Sequence, residues 1–193
     1  ILDIIWESAN ATKPIIQANT VRVADYPPVP ELERIVEESY RVLDSLKKTQ
    51  LALMPSKFRP LTSVGARARS ITMGTFLCTE TKKAIVSELG RCDAFLLKGG
   101  NMRGAKDYGD DEHFTLEAML SEFEDTDIYM TKVRGSIIRV GLRETWAGPG
   151  TGWFQHDDQI ILDEEGFVTG INGEPIDDDK LYIVGSMDDF FRS

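Results

Sequence analysis

A chain of 193 residues with 41% hydrophobic residues is long enough to bury the core of one domain of ordinary size. Its formal net charge of −10 argues against nucleic acid and anionic membranes as partners, because both are polyanions that would repel it. The sequence contains no apolar run of about 18 residues, so we expect no transmembrane helix. Two cysteines, Cys78 and Cys92, are too few for a disulfide framework. They leave two alternatives, a single bridge or two reduced and buried thiols, of which we expect the second.

The first 50 residues contain two strand-like runs, a proline-rich break and a helical pattern. The runs at residues 2–6 and 20–23 alternate apolar and polar residues imperfectly. The segment Pro27-Pro28-Val29-Pro30 breaks any regular element and marks a boundary. From that segment onward, apolar residues recur at helical spacing, which predicts an amphipathic helix over residues 30–48.

The rest of the chain alternates between helical and strand-like patterns. Apolar residues at helical spacing predict a second helix over residues 71–89, which Gly90 would end. We expect further helices at 116–123, where Thr115 can cap the first turn, and at 135–144. Strand-like runs occupy residues 93–97, 128–133, 159–162, 167–171 and 181–184. This alternation predicts an α+β or α/β fold in which a mixed β-sheet with hairpins packs against helices.

The chain lacks the sequence signatures of common hydrolytic chemistry. Its two histidines, His113 and His156, fall in what we interpret as unrelated loops, and neither has an H-x-E, D-x-H or H-E-x-x-H neighbourhood. A two-metal hydrolase needs several His, Asp and Asn ligands around one point. The sequence contains neither a G-x-S-x-G elbow nor a Walker loop. We therefore expect no catalytic residue, metal ion or other cofactor in this chain.

Two short segments carry the features of an anion-binding site. Arg67 and Arg69 precede the second helix, whose N-terminus presents free N–H groups to an anion. Gly99 and Gly100 follow a buried strand and let the backbone approach a ligand closely. Arginines in these segments, including Arg103, can donate charge-assisted hydrogen bonds to phosphate or to sugar hydroxyls. A helix and a strand separate the two segments, which suits one shared pocket.

The same segments resemble the C-terminal substrate-binding domain of the 5′-nucleotidase family, in the metallophosphoesterase superfamily. Arg67 and Arg69 fall where the family has two arginines before an M-G-N-L helix, here Met73-Gly74-Thr75-Phe76. Gly99-Gly100-Asn101-Met102-Arg103 matches the family's N-G-G-x-I-R loop, and residues 115–123 match a T-x-x-x-L-x-x-x-x-P-F segment. Further matches to later strands and hairpins are at residues 132–135, 152–155, 168–175 and 182–184.

The resemblance, which covers roughly residues 50–187, implies that the chain is part of a longer protein in which catalysis and ligand binding belong to different domains. The family's N-terminal metallophosphatase domain holds a pair of divalent metal ions and dephosphorylates nucleotides, and its C-terminal domain holds the nucleotide or nucleoside. Residues 1–25 would be remnant strands of the preceding domain, residues 26–49 a linker helix, and residues 50–193 a C-terminally truncated nucleotide-binding domain. We therefore expect a hydrolase fragment that is not catalytic by itself. Its partners would be a nucleotide and the N-terminal domain of its parent.

The resemblance also implies which residues contact the ligand. Arg69 and Arg103 would contact ribose or phosphate, with Arg67 in support. Phe123 would be one of two rings that stack on the base, since every base offers a π face. The implied substrate-binding residues are Arg67, Arg69, Lys98, Gly99, Gly100, Asn101, Arg103 and Phe123.

Departures from the family pattern favour an alternative reading. Lys98 stands where the family has an asparagine that contacts the base, and Ser70 replaces the usual glutamate. The family's G-G-D-G-F loop, which supplies the second ring, has no counterpart before Ser193. The alternative is a structural or assembly module that keeps the fold but has lost the nucleotide pocket.

Overall fold

The computed structural model describes residues 1–109, 113–123, 126–147 and 152–187. It divides into two compact units, Ile1–Asp44 and Ser45–Ser193. The α-helices in the described ranges are α1 (Pro30–Lys48), α2 (Thr72–Leu89), α3 (Leu116–Glu122) and α4 (Gly135–Ala147). The strands are β1 (Leu2–Ile5), β2 (Ile15–Ala18), β3 (Gln50–Leu53), β4 (Leu61–Thr62), β5 (Ala94–Lys98), β6 (Asp107–Gly109), β7 (His113–Thr115), β8 (Ile128–Arg134), β9 (Phe154–His156), β10 (Ile160–Leu162), β11 (Val168–Ile171), β12 (Glu174–Pro175) and β13 (Leu181–Met187). The division at residues 25 and 49 that the resemblance implies stays a prediction.

The first unit begins with a β-hairpin. β1 pairs antiparallel with β2, so that Ile4 lies opposite Ile16 and Ile5 opposite Ile15. The strand predicted over residues 20–23 is wrong, because β2 is the second strand of the hairpin and Val23 begins a 3₁₀ turn. Strand propensity depends on packing against cross-strand neighbours, and the isoleucines of β2 find such neighbours in β1.

The helix predicted over residues 30–48 is confirmed at both ends. Pro30 takes the first helical position, where its missing N–H costs no hydrogen bond. No residue of α1 is buried, and its apolar stripe is open, with Leu32 59% and Val36 49% exposed. The N-terminal part of the stripe therefore lies at the surface of the described chain, whereas Leu43 and Leu46 are half-buried.

A mixed four-stranded sheet in the order β8-β13-β5-β9 forms the centre of the second unit. β13 runs parallel to β5 and antiparallel to β8, and β9 pairs antiparallel with β5. Alternate residues of β5 enter different hydrophobic clusters, with Phe95 and Leu97 in the first and Ala94 and Leu96 in the second. The predicted mixed sheet packed against helices is therefore confirmed.

A helix contributes to each of the two hydrophobic clusters. In the first, Phe76 of α2 makes edge-to-face contacts with Phe58 and Phe114, at ring-centroid distances of 5.5 and 5.4 Å. In the second, α4 supplies Ile138 and Leu142. Removing this apolar surface from water, at about 25 cal/mol per Å², stabilises the layered arrangement. None of the helices in the described ranges has both the length and the apolarity that a membrane span requires.

Both cysteines are free and buried, as the sequence predicts. Cys78 lies on α2, and Cys92 precedes β5 with its thiol 3.2 Å from the Ala94 carbonyl. Burial raises the pKa of each thiol, because a thiolate loses hydration in the core. Both cysteines therefore act as small apolar core residues.

Candidate ligand-binding site

Three chain segments meet where the sequence predicts a shared pocket. The loop that carries Arg67 lies beside the bend that begins at Gly99, and Trp153 joins them. The Gly99 N–H donates to the Trp153 carbonyl at 2.8 Å, and the Trp153 N–H donates to the Arg67 carbonyl at 3.1 Å. The backbone therefore brings the arginine loop (residues 63–71) and the glycine bend (residues 99–101) together.

The buried side chain of Gln155, on β9, fixes the shape of the arginine loop. Its Nε2 donates to the Ala66 carbonyl at 2.9 Å and to the Arg69 carbonyl at 2.7 Å. Its Oε1 accepts a hydrogen bond from the Ile71 N–H at 2.9 Å. Gln155 is 0% exposed, so water does not compete for these bonds and each would be costly to leave unmade.

The two glycines of the bend have different surroundings. A Cβ at Gly99 would lie 1.9 Å from the Ala66 carbonyl oxygen, so only glycine fits against the arginine loop. A Cβ at Gly100 would meet no heavy atom within 4 Å beyond its chain neighbours. The bend is a 3₁₀ turn that ends at the half-buried Asn101. Gly99 therefore permits the contact between the loops, while Gly100 leaves space beside the backbone.

Cationic residues lie on the segments that form this junction. Arg67, Arg69 and Arg103 are exposed, and Lys98 is half-buried at the end of β5. The Arg69 guanidinium donates to the Val64 carbonyl at 3.3 Å, which anchors this side chain to its own loop. A chain of net charge −10 thus places these cationic groups on adjacent segments, an arrangement that suits an anionic ligand.

The segment that carries Arg103 is tied to a second buried side chain, the carboxylate of Glu122. The Arg103 N–H donates to the Glu122 backbone carbonyl at 3.0 Å. The carboxylate is 0% exposed and accepts from the Ser63 and Tyr108 hydroxyls, each at 2.7 Å, and from the Gly104 N–H at 3.2 Å. Burial, the hydrogen bond to Glu122 and nearby negative charge raise the pKa of Tyr108. Glu122 therefore links the Arg103 segment to the start of the arginine loop.

Phe123, the implied stacking ring, directly follows α3. Its N–H donates to the Met119 carbonyl at 3.0 Å, as the C-cap of the helix. Its side chain is half-buried and packs against the first hydrophobic cluster. Because Phe123 follows Glu122, the structure brings it next to the Arg103 backbone. Its contact with a base stays a prediction.

Gln155, Glu122 and Trp153 are parts of the junction that the sequence analysis did not single out. Gln155 follows the apolar pair Trp153-Phe154, and a polar residue at such a position is typical of a strand with one exposed face, so the pattern does not predict its burial. Its burial results from the pairing of β9 with β5, which no local pattern specifies. The burial of Glu122 could not be predicted either, because glutamate is seldom fully buried and the pattern of a short helix does not show what the helix packs against.

Both histidines lie at strand ends rather than in loops. His113 begins β7 and pairs with Leu53, and His156 ends β9 and pairs with Leu96. The loop prediction is therefore wrong for both, because sheet pairing between distant segments decides their conformation. Within the described residues, no group of three or more His, Cys, Asp or Glu side chains could hold a metal ion. These residues do not fit the divalent metal pair that the resemblance assigns to the parent protein.

The mixed sheet with its flanking helices has the fold of 5′-nucleotidase-type proteins. No protein-family model matches the sequence, and no curated protein matches it significantly. Among solved structures, the chain is similar to a 5′-nucleotidase precursor from Thermus thermophilus, with a TM-score of 0.60 and 14% identity. That match covers 91% of this chain and 37% of the other.

A second similar structure is the NAD nucleotidase of Haemophilus influenzae, with a TM-score of 0.50 and 16% identity over 82% of this chain and 32% of the other. The chain therefore spans about a third of the length of these proteins. At such identities the similarity shows the fold alone, and at that level the sequence-based resemblance is confirmed.

Proposed function

We propose that this chain is the nucleotide-binding part of a 5′-nucleotidase-like, metal-dependent phosphoester hydrolase that dephosphorylates nucleotides. The observation that carries the proposal is the hydrogen-bonded junction of the arginine loop and the glycine bend. The fold shared with a 5′-nucleotidase precursor and an NAD nucleotidase supports it. The junction therefore supports a ligand site in this chain, and the shared fold supports the proposed class of protein.

The groups at the junction suit the parts of a nucleotide. The guanidinium groups of Arg69 and Arg103, with Arg67 beside them, can donate charge-assisted hydrogen bonds to phosphate oxygens or ribose hydroxyls. The open backbone at Gly100 allows a sugar or phosphate to approach closely. Phe123 is half-buried, and on this proposal its ring stacks on the base.

We assign hydrolysis to a metallophosphatase domain that precedes this chain in the parent protein and holds the divalent metal pair. The similar solved proteins are about three times as long as the matched part, which leaves room for such a domain. The first unit exposes apolar side chains that a neighbouring domain would cover, since Leu2, Ile4 and Ile16 are 60%, 54% and 61% exposed. On this proposal the isolated chain binds nucleotide without hydrolysing it.

Isothermal titration calorimetry with a nucleoside monophosphate tests the proposal. We expect binding heat in the intact chain and an affinity roughly tenfold to a hundredfold weaker in Arg103→Ala, because a hydrogen bond to a charged group contributes about 1.5–3 kcal/mol. Arg143→Ala is the matched control, since the Arg143 cation lies on α4 over the Phe167 ring. Absence of heat in the intact chain, or equal weakening by both substitutions, would contradict the proposal.

A structural or assembly module is the second candidate function. Two observations favour it: Phe123 packs against the core, and the first unit exposes an apolar hairpin face. Such a module would bind a protein surface and no nucleotide. Light scattering that shows self-association, together with a calorimetric titration without heat, would favour the module over the nucleotide-binding domain.

A further inference from the structure

A groove beside the later turns of α2 is separate from the junction. Its volume of about 460 Å³ lies within the range of roughly 300–1,000 Å³ that is typical of small-molecule pockets. Residues of α2, the 3₁₀ turn Ser56–Phe58 and the segment after β9 line it. Lys82, one of these residues, comes ten residues after Thr72, which places it about 15 Å along the helix axis from the start of α2. The groove shares no lining residue with the arginine loop or the glycine bend.

Most of the charged groups that line this groove are cationic. Lys57, Lys82 and Lys83 line it, together with one acid, Asp158. Each lysine has a carboxylate partner, but only the partner of Lys57, which is Asp158, belongs to the lining. An ammonium group has three N–H donors, so each lysine keeps donors beyond its ion pair. The lining therefore carries an excess of positive charge in a chain whose net charge is −10.

The ammonium of Lys82 is buried, and the protein satisfies it only in part. Lys82 is 7% exposed, and its Nζ donates to Asp157 Oδ1 at 2.8 Å and to Asn172 Oδ1 at 2.7 Å. The described part of the chain supplies no acceptor for the third N–H of this group. A buried donor without an acceptor is unfavourable. An oxyanion in the groove would therefore gain a charge-assisted hydrogen bond from Lys82.

Part of the groove wall is apolar. Val86 lines it and is 40% exposed, and long lysine side chains add their methylene stems to such a surface. Thr79 and Ser87 contribute hydroxyl groups to the same lining. Cationic donors beside an apolar wall suit a ligand that has both an anionic head and a short apolar body.

We propose that this groove is a second ligand site, which binds a small organic anion through Lys57, Lys82 and Lys83. The oxyanion head accepts hydrogen bonds from the ammonium groups, and the apolar body lies along Val86. This site goes beyond the proposed nucleotide-binding function and does not depend on it, because the two sites have different lining residues.

Three probes that differ in charge and apolar length test this proposal, namely hexanoate, acetate and 1-hexanol. Two-dimensional ¹H–¹⁵N NMR titrations of the intact chain report where each probe binds. We expect hexanoate to shift the amide signals of Lys82, Ser87 and Gln159 along one saturation curve. Acetate, which lacks most of the apolar body, should bind about tenfold more weakly or worse. The uncharged 1-hexanol should also bind about tenfold more weakly or worse, because it offers no anionic acceptor to Lys82.

A matched pair of double variants tests the role of the lysines. Substitution of Lys82 would also break its ion pair with Asp157, so the exposed lysines are changed instead. We expect Lys57→Gln/Lys83→Gln to bind hexanoate about threefold more weakly or worse. The control, Lys48→Gln/Lys132→Gln, removes two exposed lysines outside the groove and changes the net charge equally. Its affinity for hexanoate should stay within about twofold of that of the unsubstituted chain.

Four results would overturn the proposal. Hexanoate that gives no saturable shift of the groove signals would exclude the site. Equal affinity for hexanoate and 1-hexanol would exclude an anion site, and equal weakening by both double variants would show an effect of overall charge alone. If hexanoate shifts the signals of Arg67 and Gly99 instead, the anion binds at the junction, and the proposed nucleotide site stands without the second one.

Discussion

The loops of the candidate site are held by two buried polar side chains, Gln155 and Glu122. Both are 0% exposed, and both bond to the segment that contains the arginines, through the Arg69 carbonyl and the Ser63 hydroxyl respectively. Burial of such groups is unfavourable unless their hydrogen bonds are complete. Their networks therefore order the loop, while the side chains of Arg67 and Arg69 stay exposed.

We expect Gln155→Leu to lower the free energy of unfolding by at least about 2 kcal/mol. The substitution leaves two carbonyls and one N–H of the arginine loop without partners, and each unsatisfied buried group costs about 1–3 kcal/mol. Urea unfolding followed by circular dichroism measures the change. Gln159→Leu is the control, because Gln159 is exposed and its loss should change stability by about 0.5 kcal/mol or less. Equal stability of the two variants would refute this role of Gln155.

The hydrogen bond between Tyr108 and Glu122 has a consequence at alkaline pH. Burial, followed by the bond to Glu122, raises the pKa of Tyr108, so the phenol stays neutral near pH ~10, where free tyrosine ionises. The neutral, hydrogen-bonded Tyr108 contributes to the free energy of unfolding. Because its pKa is raised in the folded state, this contribution is complete below the unfolded-state pKa and is lost as pH rises through the folded-state pKa. We expect Tyr108→Phe to leave the absorbance change of tyrosinate near pH ~10 intact. A reduction of that absorbance change in Tyr108→Phe would be the contrary result.

At the scale of elements, local signals were enough to predict the helices. α2 begins and ends within one residue of its predicted range, because apolar spacing and Gly90 are local features. Gly90 adopts φ +81°, the left-handed conformation that ends a helix. Thr115 accepts the Ala118 N–H at 3.2 Å, so the predicted cap of α3 is confirmed as well.

Sheet pairing could not be predicted, and the missed parts of the site follow from it. The parallel contact of β13 with β5 joins Val184 to Ala94, and nothing near either residue specifies that partner. The meeting of the arginine loop and the glycine bend was predictable because both carry residue types that suit an anion. The positions of Gln155 and Trp153 were not, because they depend on the ladder between β9 and β5.

Alanine substitutions at two glycines of α4 should change the stability of the chain in opposite directions. A Cβ at Gly141 would meet no heavy atom within 4 Å, and this residue lines an apolar cavity of about 50 Å³. Since glycine in a helix interior costs about 0.5–1 kcal/mol relative to alanine, we expect Gly141→Ala to stabilise the chain by that amount. A Cβ at Gly135 would lie 1.9 Å from the Asp177 carbonyl oxygen, so Gly135→Ala should destabilise it. Thermal denaturation that lowers the melting temperature in both variants would contradict the first expectation.

A buried ion pair ties α2 to the segment after β9. Lys82 Nζ donates to Asp157 Oδ1 at 2.8 Å and to Asn172 Oδ1 at 2.7 Å, and Asp157 Oδ2 accepts from the Phe95 N–H at 2.8 Å. We expect Lys82→Met to cost about 3–5 kcal/mol, because it leaves a buried carboxylate uncompensated. Lys83→Met is the adjacent control, since the exposed pair of Lys83 with Glu80 should contribute about 1 kcal/mol or less. If Lys82→Met and Lys83→Met lower the free energy of unfolding equally in urea, the buried pair has no special role.

The molecule as a whole combines a strongly acidic surface with a cationic junction. Its net charge of −10 repels polyanions, whereas the proposed function requires Arg67, Arg69, Lys98 and Arg103 to attract a small anion locally. Exposed charges are screened by salt over about 10 Å at 0.1 M ionic strength, so nucleotide affinity should fall as salt is added. Calorimetric titrations at low and high sodium chloride measure this dependence, and an affinity that does not change with salt would contradict an electrostatic site.

The central claim is that the arginine loop and the glycine bend form one ligand site. Two-dimensional ¹H–¹⁵N NMR spectra of the intact chain during a titration with adenosine 5′-monophosphate test it most directly. We expect the amide signals of Arg67, Gly99 and Gly100 to shift together along one saturation curve, while that of Gly141 on α4 stays in place. Shifts confined to other parts of the chain, or the absence of any shift, would contradict the account.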